Sequence, residues 1–504
     1  MYKLLFIVSI NIITAASASY SPTWESLDSR PLPTWYDEGK LGIFMHWGVY
    51  SYLGLGAWMW YRWDAQKQPN IVNFMNKNYS PRTKYPEFAN DFTAAFFDAD
   101  EWAKLIQATG ARYYVLTSKH HEGFTLWPSN YSFTWNSRDT GPGRDLVGEL
   151  RSAFDRSAPD VKFGLYYSLF EWFHPLFIAD NATGFRRNEY VEQVSMPQLL
   201  ELANTYQPDV LWSDGDWLAS STYWNTTQFL AWLYNNSPVK NTVVVNDRWG
   251  NETTCKHGGF FTCKDRFMPG KLMNRKWENA MTLDRHHWAF SRQLTVDDVL
   301  TIVELIETFM KTISYGGNMC LNVGPTHDGR IIPIFEERLR QFGSWMRTNA
   351  EGIYGTKPWI YQNDTVTSNV WYTSKMNPNV TLKHPHNQHR VYNPQLGGKT
   401  VTVYAAFSEW PQDGKLVLGA PTAGPATRIS LLGYGLGSKQ QLILKWKFLN
   451  DALGDDANNA ESGVVVNLSG IKWTLLPNTW VWMLKLENLN ADNHIPEVID
   501  VTTK

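Results

Sequence analysis

The chain holds 504 residues, 43% of them hydrophobic, which is enough for one large domain and a smaller one. Only 19% are charged and the net charge is -2, so nothing favours nucleic acid or an anionic membrane as a partner. Aromatics are abundant (25 Trp, 24 Tyr, 25 Phe); flat rings suit the apolar faces of sugars, and large cores bury them as well.

In chain order, Lys3 precedes an apolar run from Leu4 to Ile13, and Ala16-Ser17-Ala18 offers a small-residue cleavage site. This predicts a secretory signal peptide over residues 1–18. No later stretch approaches the roughly 20 apolar residues needed to span a bilayer, so no membrane anchor is expected. Asn-X-Ser/Thr sequons at Asn78, Asn130, Asn181, Asn225, Asn235, Asn251, Asn363, Asn379 and Asn467 predict N-glycans at some of these sites. Of three cysteines, Cys255 and Cys263 lie close in a Gly-rich loop and are expected to pair, while Cys320, in an apolar run, is expected to be a buried free thiol.

Strand-like runs at Leu41–His46, Tyr113–Ser118, Lys162–Ser168, Asp209–Ser213, Thr242–Asn246 and Met319–Val323 are rich in β-branched or aromatic residues. Between them, Ala99–Thr109, Met196–Tyr206, Val296–Ser314 and Ile334–Asn349 carry apolar residues at helical spacing. This alternation predicts an α/β fold, a (β/α)8-like TIM barrel over residues 19–357. Past Lys357 the texture changes to short alternating runs, Val370–Thr373, Thr400–Phe407, Gln441–Phe448, Gly463–Leu468 and Trp480–Leu486. They predict a C-terminal antiparallel β-sandwich over residues 358–490, followed by a frayed polar tail, 491–504.

Chemistry in such barrels sits at the carboxyl ends of the strands. The predicted ends carry His46, His120, His121, Tyr166, Asp214 and Arg248. In Leu211-Trp-Ser-Asp-Gly-Asp-Trp217, Asp214 closes a buried strand and is a candidate nucleophile; a helix cap or structural ion pair is the competing reading, and Asp216 is placed behind it. Glycoside hydrolysis needs a second carboxyl group. Asp265, just beyond the cysteine loop, and Glu278, beside Trp277, both qualify. Apolar burial would raise the Glu278 carboxyl toward an acid's range, though either residue could be a solvated loop acid. His120 and His121 are adjacent, without zinc-motif spacing, so no metal is expected and neutral imidazoles bonding sugar hydroxyls fit better. Arg248 offers a fork of donors to a sugar oxygen, or a salt bridge to a barrel acid. No P-loop, dinucleotide fingerprint or nucleophile elbow competes.

Taken together, Gly42-Ile-Phe-Met-His-Trp-Gly-Val49, Thr117-Ser-Lys-His-His-Glu-Gly-Phe124, Gly164-Leu-Tyr-Tyr-Ser168, Leu211-Trp-Ser-Asp-Gly215, Val243-Val-Val-Asn-Asp-Arg-Trp-Gly250 and Asn318-Met-Cys-Leu-Asn-Val-Gly-Pro325 resemble the α-L-fucosidases of glycoside hydrolase family twenty-nine, the animal lysosomal type closely. The resemblance runs from about Pro33 to Trp359, with a weaker echo beyond. It implies a barrel with a C-terminal sandwich and a retaining double displacement acting on fucosylated glycans, in a secreted or lysosomal protein with no cofactor. Assembly into homo-oligomers stays open. It places the nucleophile on Asp214 and the fucose pocket on His46, His120, His121, Tyr166, Trp212 and Arg248, walled by Trp58 and Trp288. The acid/base falls on Asp265, with Glu278 as competitor. Two positions depart from the family's pattern: Ala280 where a cysteine is usual, and Ala57 where a glutamate commonly precedes the tryptophan. Ala57 keeps a second reading alive, a secreted fucose-binding lectin with little turnover. A glycosidase for another sugar, such as a β-galactoside, is a third.

Overall fold

The computed structural model describes residues 19–376, 401–435, 441–453, 462–490 and 498–499. The expected signal peptide, the Asn379 sequon and most of the tail lie outside the described residues.

Eight short strands build the first unit: β1 Leu41–Met45, β2 Tyr113–Lys119, β3 Lys162–Ser168, β4 Val210–Asp214, β5 Val244–Val245, β6 Leu272–Met273, β7 Glu278–Thr282 and β8 Asn318–Val323. Seven form one parallel sheet in the order β5-β4-β3-β2-β1-β8-β7. Its residues are buried almost throughout, as expected for parallel strands covered on both faces. Residues 259–261 span the gap between the edge strands. Gly259 and Phe260 donate their amides to the Val245 carbonyl of β5, while Phe261 donates to Lys276 and accepts from Glu278 of β7. The TIM-like wall is thus completed by a segment with too few ladder bonds to form a regular strand. Cys255 and Cys263 are bonded and hold this segment's loop, whose amides at Cys255, Thr262 and Cys263 all donate to the buried Asp247 carboxylate. Cys320 is free and buried.

The outer helices follow from capped amphipathic runs. Ala99–Ala108 is capped by Asp98, whose side chain accepts from Glu101 N at 3.0 Å, and buries Trp102, Ala103, Leu105 and Ile106. The run expected over Val296–Ser314 is divided: Val296–Asp298 forms a 3-10 turn, and Thr301 with Glu304 makes a capping box that starts Ile302–Ser314 afresh. Leu146–Ser157, not among the expected helices, is capped by Asp145.

The second unit comprises β9 Val370–Met376, β10 Val401–Phe407, β11 Lys415–Thr422, β12 Arg428–Leu431, β13 Leu442–Ile443, β14 Trp446–Phe448, β15 Ser462–Asn467 and β16 Trp482–Glu487. They form antiparallel sheets in the orders β13-β12-β16-β10-β9 and β11-β15-β14. Between them lies a core that includes Val403, Leu416, Leu418, Val464, Val466 and Leu484. A last strand, β17 Val498–Ile499, pairs in parallel with β6. The expectation of a wholly frayed tail therefore fails at these two apolar residues. Among the described residues no helix is long and apolar enough to cross a membrane.

Candidate active site

Asp214 is the last residue of β4. The chain turns at once through Gly215 at φ 79°, where an added Cβ would lie 2.8 Å from the Phe170 ring. Tyr166 OH donates to Asp214 Oδ2 at 2.8 Å, and Arg248 Nη1 donates to Oδ1 at 3.1 Å. The same guanidinium donates Nη2 to Asp265 at 2.8 Å and Nε to Thr262 Oγ1 at 3.0 Å, and lies 4.7 Å over the Trp212 ring. Burial works against the Arg248 charge, but Asp214 and Asp265 outweigh it and raise its pKa. One fixed fork thus joins a buried carboxylate to a second whose side chain is 50% exposed. Both carboxylates thus face one guanidinium.

His46 follows β1, and its Nδ1 lies 2.7 Å from Asn322 Oδ1. Asn322 Nδ2 donates to the Trp288 carbonyl, so the oxygen faces the imidazole and His46 Nδ1 carries the proton. His121 Nδ1 lies 2.7 Å from Ser168 Oγ, whose own proton goes to the Phe170 carbonyl. His121 therefore donates from Nδ1 too. Burial first, then neighbouring imidazoles and, for His121, the Lys119 and Arg248 cations, pushes both histidines well below the usual range. Both are neutral, each with a bare Nε2 able to accept a hydroxyl proton. His121 Nε2 lies 3.7 Å from Asp214 Oδ2, too far for a direct bond. The His120 ring stacks on Tyr166 at 5.7 Å and 11°, and its Nδ1 faces Glu122 Oε2 at 3.5 Å; neither of these buried atoms has a hydrogen-bond partner.

Rings line the remainder. Trp212 forms the floor with Tyr166, 5.7 Å away. Trp288 lies 5.1 Å from His46, and Trp58 meets His121 edge-on at 5.1 Å. Ala57 is buried against Tyr50, Ala289 and the partly buried Trp58. Asp216 accepts from Thr254 Oγ1 at 2.8 Å, and its carboxyl is pushed up to about 6, first by burial and then by the Asp214 charge.

Ten of the eleven expected site residues meet at the carboxyl ends of the strands. Glu278 does not, because it opens β7 rather than closing it and so lies at the opposite end of the barrel. There it is fully buried and accepts from Tyr36 OH at 2.8 Å, Tyr113 OH at 2.6 Å and Trp212 Nε1 at 2.9 Å. Burial does raise its pKa, against these three bonds, yet it supports the Trp212 floor from beneath. Sequence reasoning missed Asn322, Ser168, Thr262 and Glu122. The signal available was a polar residue within or just after an apolar run. The assembled geometry suits a pyranoside held by neutral imidazoles and rings beside a carboxylate pair.

Comparison with known proteins gives a consistent picture. Residues 7–351 match the family described as Alpha-L-fucosidase, and residues 362–487 match the Alpha-L-fucosidase C-terminal domain. An alpha-L-fucosidase of Branchiostoma floridae is 48% identical, covering 93% of this chain and 96% of its own length. Plasma alpha-L-fucosidase of Homo sapiens is 49% identical, covering 94% of each. Among solved structures, a Thermotoga maritima alpha-fucosidase in complex with a mechanism-based inhibitor aligns with a TM-score of 0.72 at 29% identity, covering 93% of this chain and 99% of that one.

Proposed function

Since the chain belongs to the α-L-fucosidase family, we propose that it is a hydrolase releasing terminal α-L-fucose from glycoproteins, glycolipids or oligosaccharides with retained configuration. The observation that carries the mechanism is the Arg248 fork joining Asp214 to Asp265 beside two bare imidazole nitrogens. In the first step an Asp214 oxygen attacks the anomeric carbon, the glycosidic C–O bond breaks, and Asp265 gives its proton to the departing oxygen. In the second, Asp265 takes a proton from water, whose oxygen attacks the same carbon and expels the Asp214 carboxylate. Tyr166 and Arg248 hold Asp214 in line. His46 and His121 accept from sugar hydroxyls through Nε2, and Trp212 or Trp288 packs against the C6 methyl.

A fucose-binding lectin is disfavoured because the carboxylate pair is retained, and a glycosidase for another sugar, such as a β-galactoside, because the relatives reported above are named as α-L-fucosidases. The protein is assigned to the secretory route. Of the eight described sequon asparagines, seven are exposed; Asn235 is engaged in both directions by the Tyr20 backbone. N-glycans therefore belong on the exposed set.

The test is 4-nitrophenyl α-L-fucoside with the parent protein and with Asp214→Gly. Turnover by the parent, loss of at least about a thousandfold in the variant and rescue by azide are expected. Unimpaired turnover by Asp214→Gly would remove Asp214 from the nucleophile's role.

A further inference from the structure

Two residues mark the exposed margin of the site. The Asp265 side chain is 50% exposed, and Trp217 is 43% exposed, whereas Asp214, Tyr166, Trp212 and the three histidines are buried. Trp217 lies three residues beyond Asp214, in the 3-10 turn Asp216–Leu218 that Gly215 introduces. Its ring is nearly parallel to Trp58 (6.0 Å, 23°) and edge-on to both His121 (5.5 Å) and Phe170 (5.4 Å). The indole is therefore held by three aromatic neighbours yet leaves one face open beside the nucleophile. Lone exposed hydrophobic residues are common on protein surfaces and by themselves say nothing. This one differs in being fixed in orientation and continuous with the pocket wall.

We propose that Trp217 is the platform for the sugar to which the fucose is attached, and so sets the enzyme's preference for glycans over small leaving groups. The proposal rests on the fucosidase reading above. If fucose fills the buried depth, the leaving oxygen must lie beside Asp265, at the margin. The sugar bearing that oxygen then crosses the mouth, where the open indole offers a flat apolar surface to the ring's C–H face. It does not enter between Trp58 and Trp217. Two contacts of about 3.5–4.0 Å each would need a gap of about 7–8 Å, more than the 6.0 Å between the rings. The outward face is the one available. Because the ring is already held, binding loses little side-chain freedom.

The experiment compares full-length parent, Trp217→Ala and Trp217→Phe on two substrates. One is α-L-fucosyl fluoride, whose leaving group has no ring. The other is whichever α-linked fucosyl disaccharide the parent cleaves best. Trp217→Ala should lose about tenfold or more in kcat/KM on the disaccharide, mainly through KM, and stay within about twofold on the fluoride. Trp217→Phe should recover most of the loss, and inhibition by free L-fucose should not change. Equal losses on both substrates would make Trp217 a structural residue, and no loss on either would remove the platform; each overturns the proposal. A parent inert on both substrates would instead sink the fucosidase reading, and the platform with it.

Discussion

Asp216 is two residues from Asp214, in an environment that disfavours its charge. In the unfolded chain its carboxyl titrates near about 3.9; in the fold it is held at about 6 by burial and the Asp214 charge. A raised folded value means the folded state prefers the protonated form. The stability this group contributes is full below about pH 4 and is lost as pH rises through about 6. Two pKa units correspond to about 3 kcal/mol. Asp216→Asn keeps an oxygen for Thr254 and removes the charge, so it should raise Tm at about pH 7.5 and leave it nearly unchanged at about pH 4; thermal scans at both values check this. Glu278 calls for a different substitution. Its three neighbours all donate, the two hydroxyls to Oε2 and the indole to Oε1, so in Glu278→Gln the single remaining oxygen leaves one side's donors without their acceptor, costing about 2–3 kcal/mol in urea unfolding. The pH profile of kcat/KM should keep both limbs in Glu278→Gln and lose the limb assigned to the acid in Asp265→Asn; the reverse would restore Glu278 as acid/base. The sequence places His46, His120, His121, Tyr166, Asp214 and Arg248 at strand ends because each follows an apolar run. It does not place Glu278, whose position depends on which end of β7 it occupies, and β7 itself is hidden by the polar Asn279 and Thr282.

At the scale of elements, close approach decides what periodicity leaves open. Gly343 sits inside helix Pro333–Asn349, where glycine costs about 1 kcal/mol against alanine. An added Cβ would lie 1.9 Å from the Ala108 carbonyl oxygen and 2.9 Å from Thr109 Cα. That oxygen ends helix Ala99–Ala108 and also accepts from Arg347 Nη1 at 3.2 Å, so it cannot yield without moving a helix terminus. Gly343→Ala is therefore expected to lower Tm despite its better propensity, because overpacking costs about 1–3 kcal/mol or more. A rise in Tm would show that the two helices can separate. Six of the seven strands of the parallel sheet are legible as apolar runs, and four of the outer helical runs as periodic ones. The closing segment 259–261 is not, since it pairs with both edges through scattered amides rather than through a residue pattern. In the sandwich, β11 escapes because Gly419 and Pro421 interrupt it, although its burial alternates as a half-covered strand's should.

Across the whole molecule the two units share a core. Trp345, fully buried in the last barrel helix, donates Nε1 to the Val481 carbonyl at 2.9 Å, just before β16. Met483 and Tyr404 press on Gly352, so closely that a Cβ there would lie 2.3 Å from the Met483 sulfur. Tyr404 OH and Lys485 Nζ both reach Glu351, at 2.9 and 2.7 Å. Val481, Met483, Tyr404 and Ala406 belong to the same buried cluster as the barrel strands, not to the sandwich core. The texture change read near Lys357 carries no sign of this sharing, which depends on contacts between residues more than a hundred positions apart. Cooperativity should follow the shared core. Calorimetry, tryptophan fluorescence and loss of fucosidase activity are expected to report one coincident thermal transition. Trp345→Ala, which removes a buried indole and leaves the Val481 carbonyl without its donor, should cost about 3–5 kcal/mol and shift all three probes together. If instead the variant separated an early sandwich transition from a later barrel transition that still carried activity, the sandwich would be an appended module. A single shifted transition would make the sandwich part of the cooperative unit that holds the last barrel helix in place.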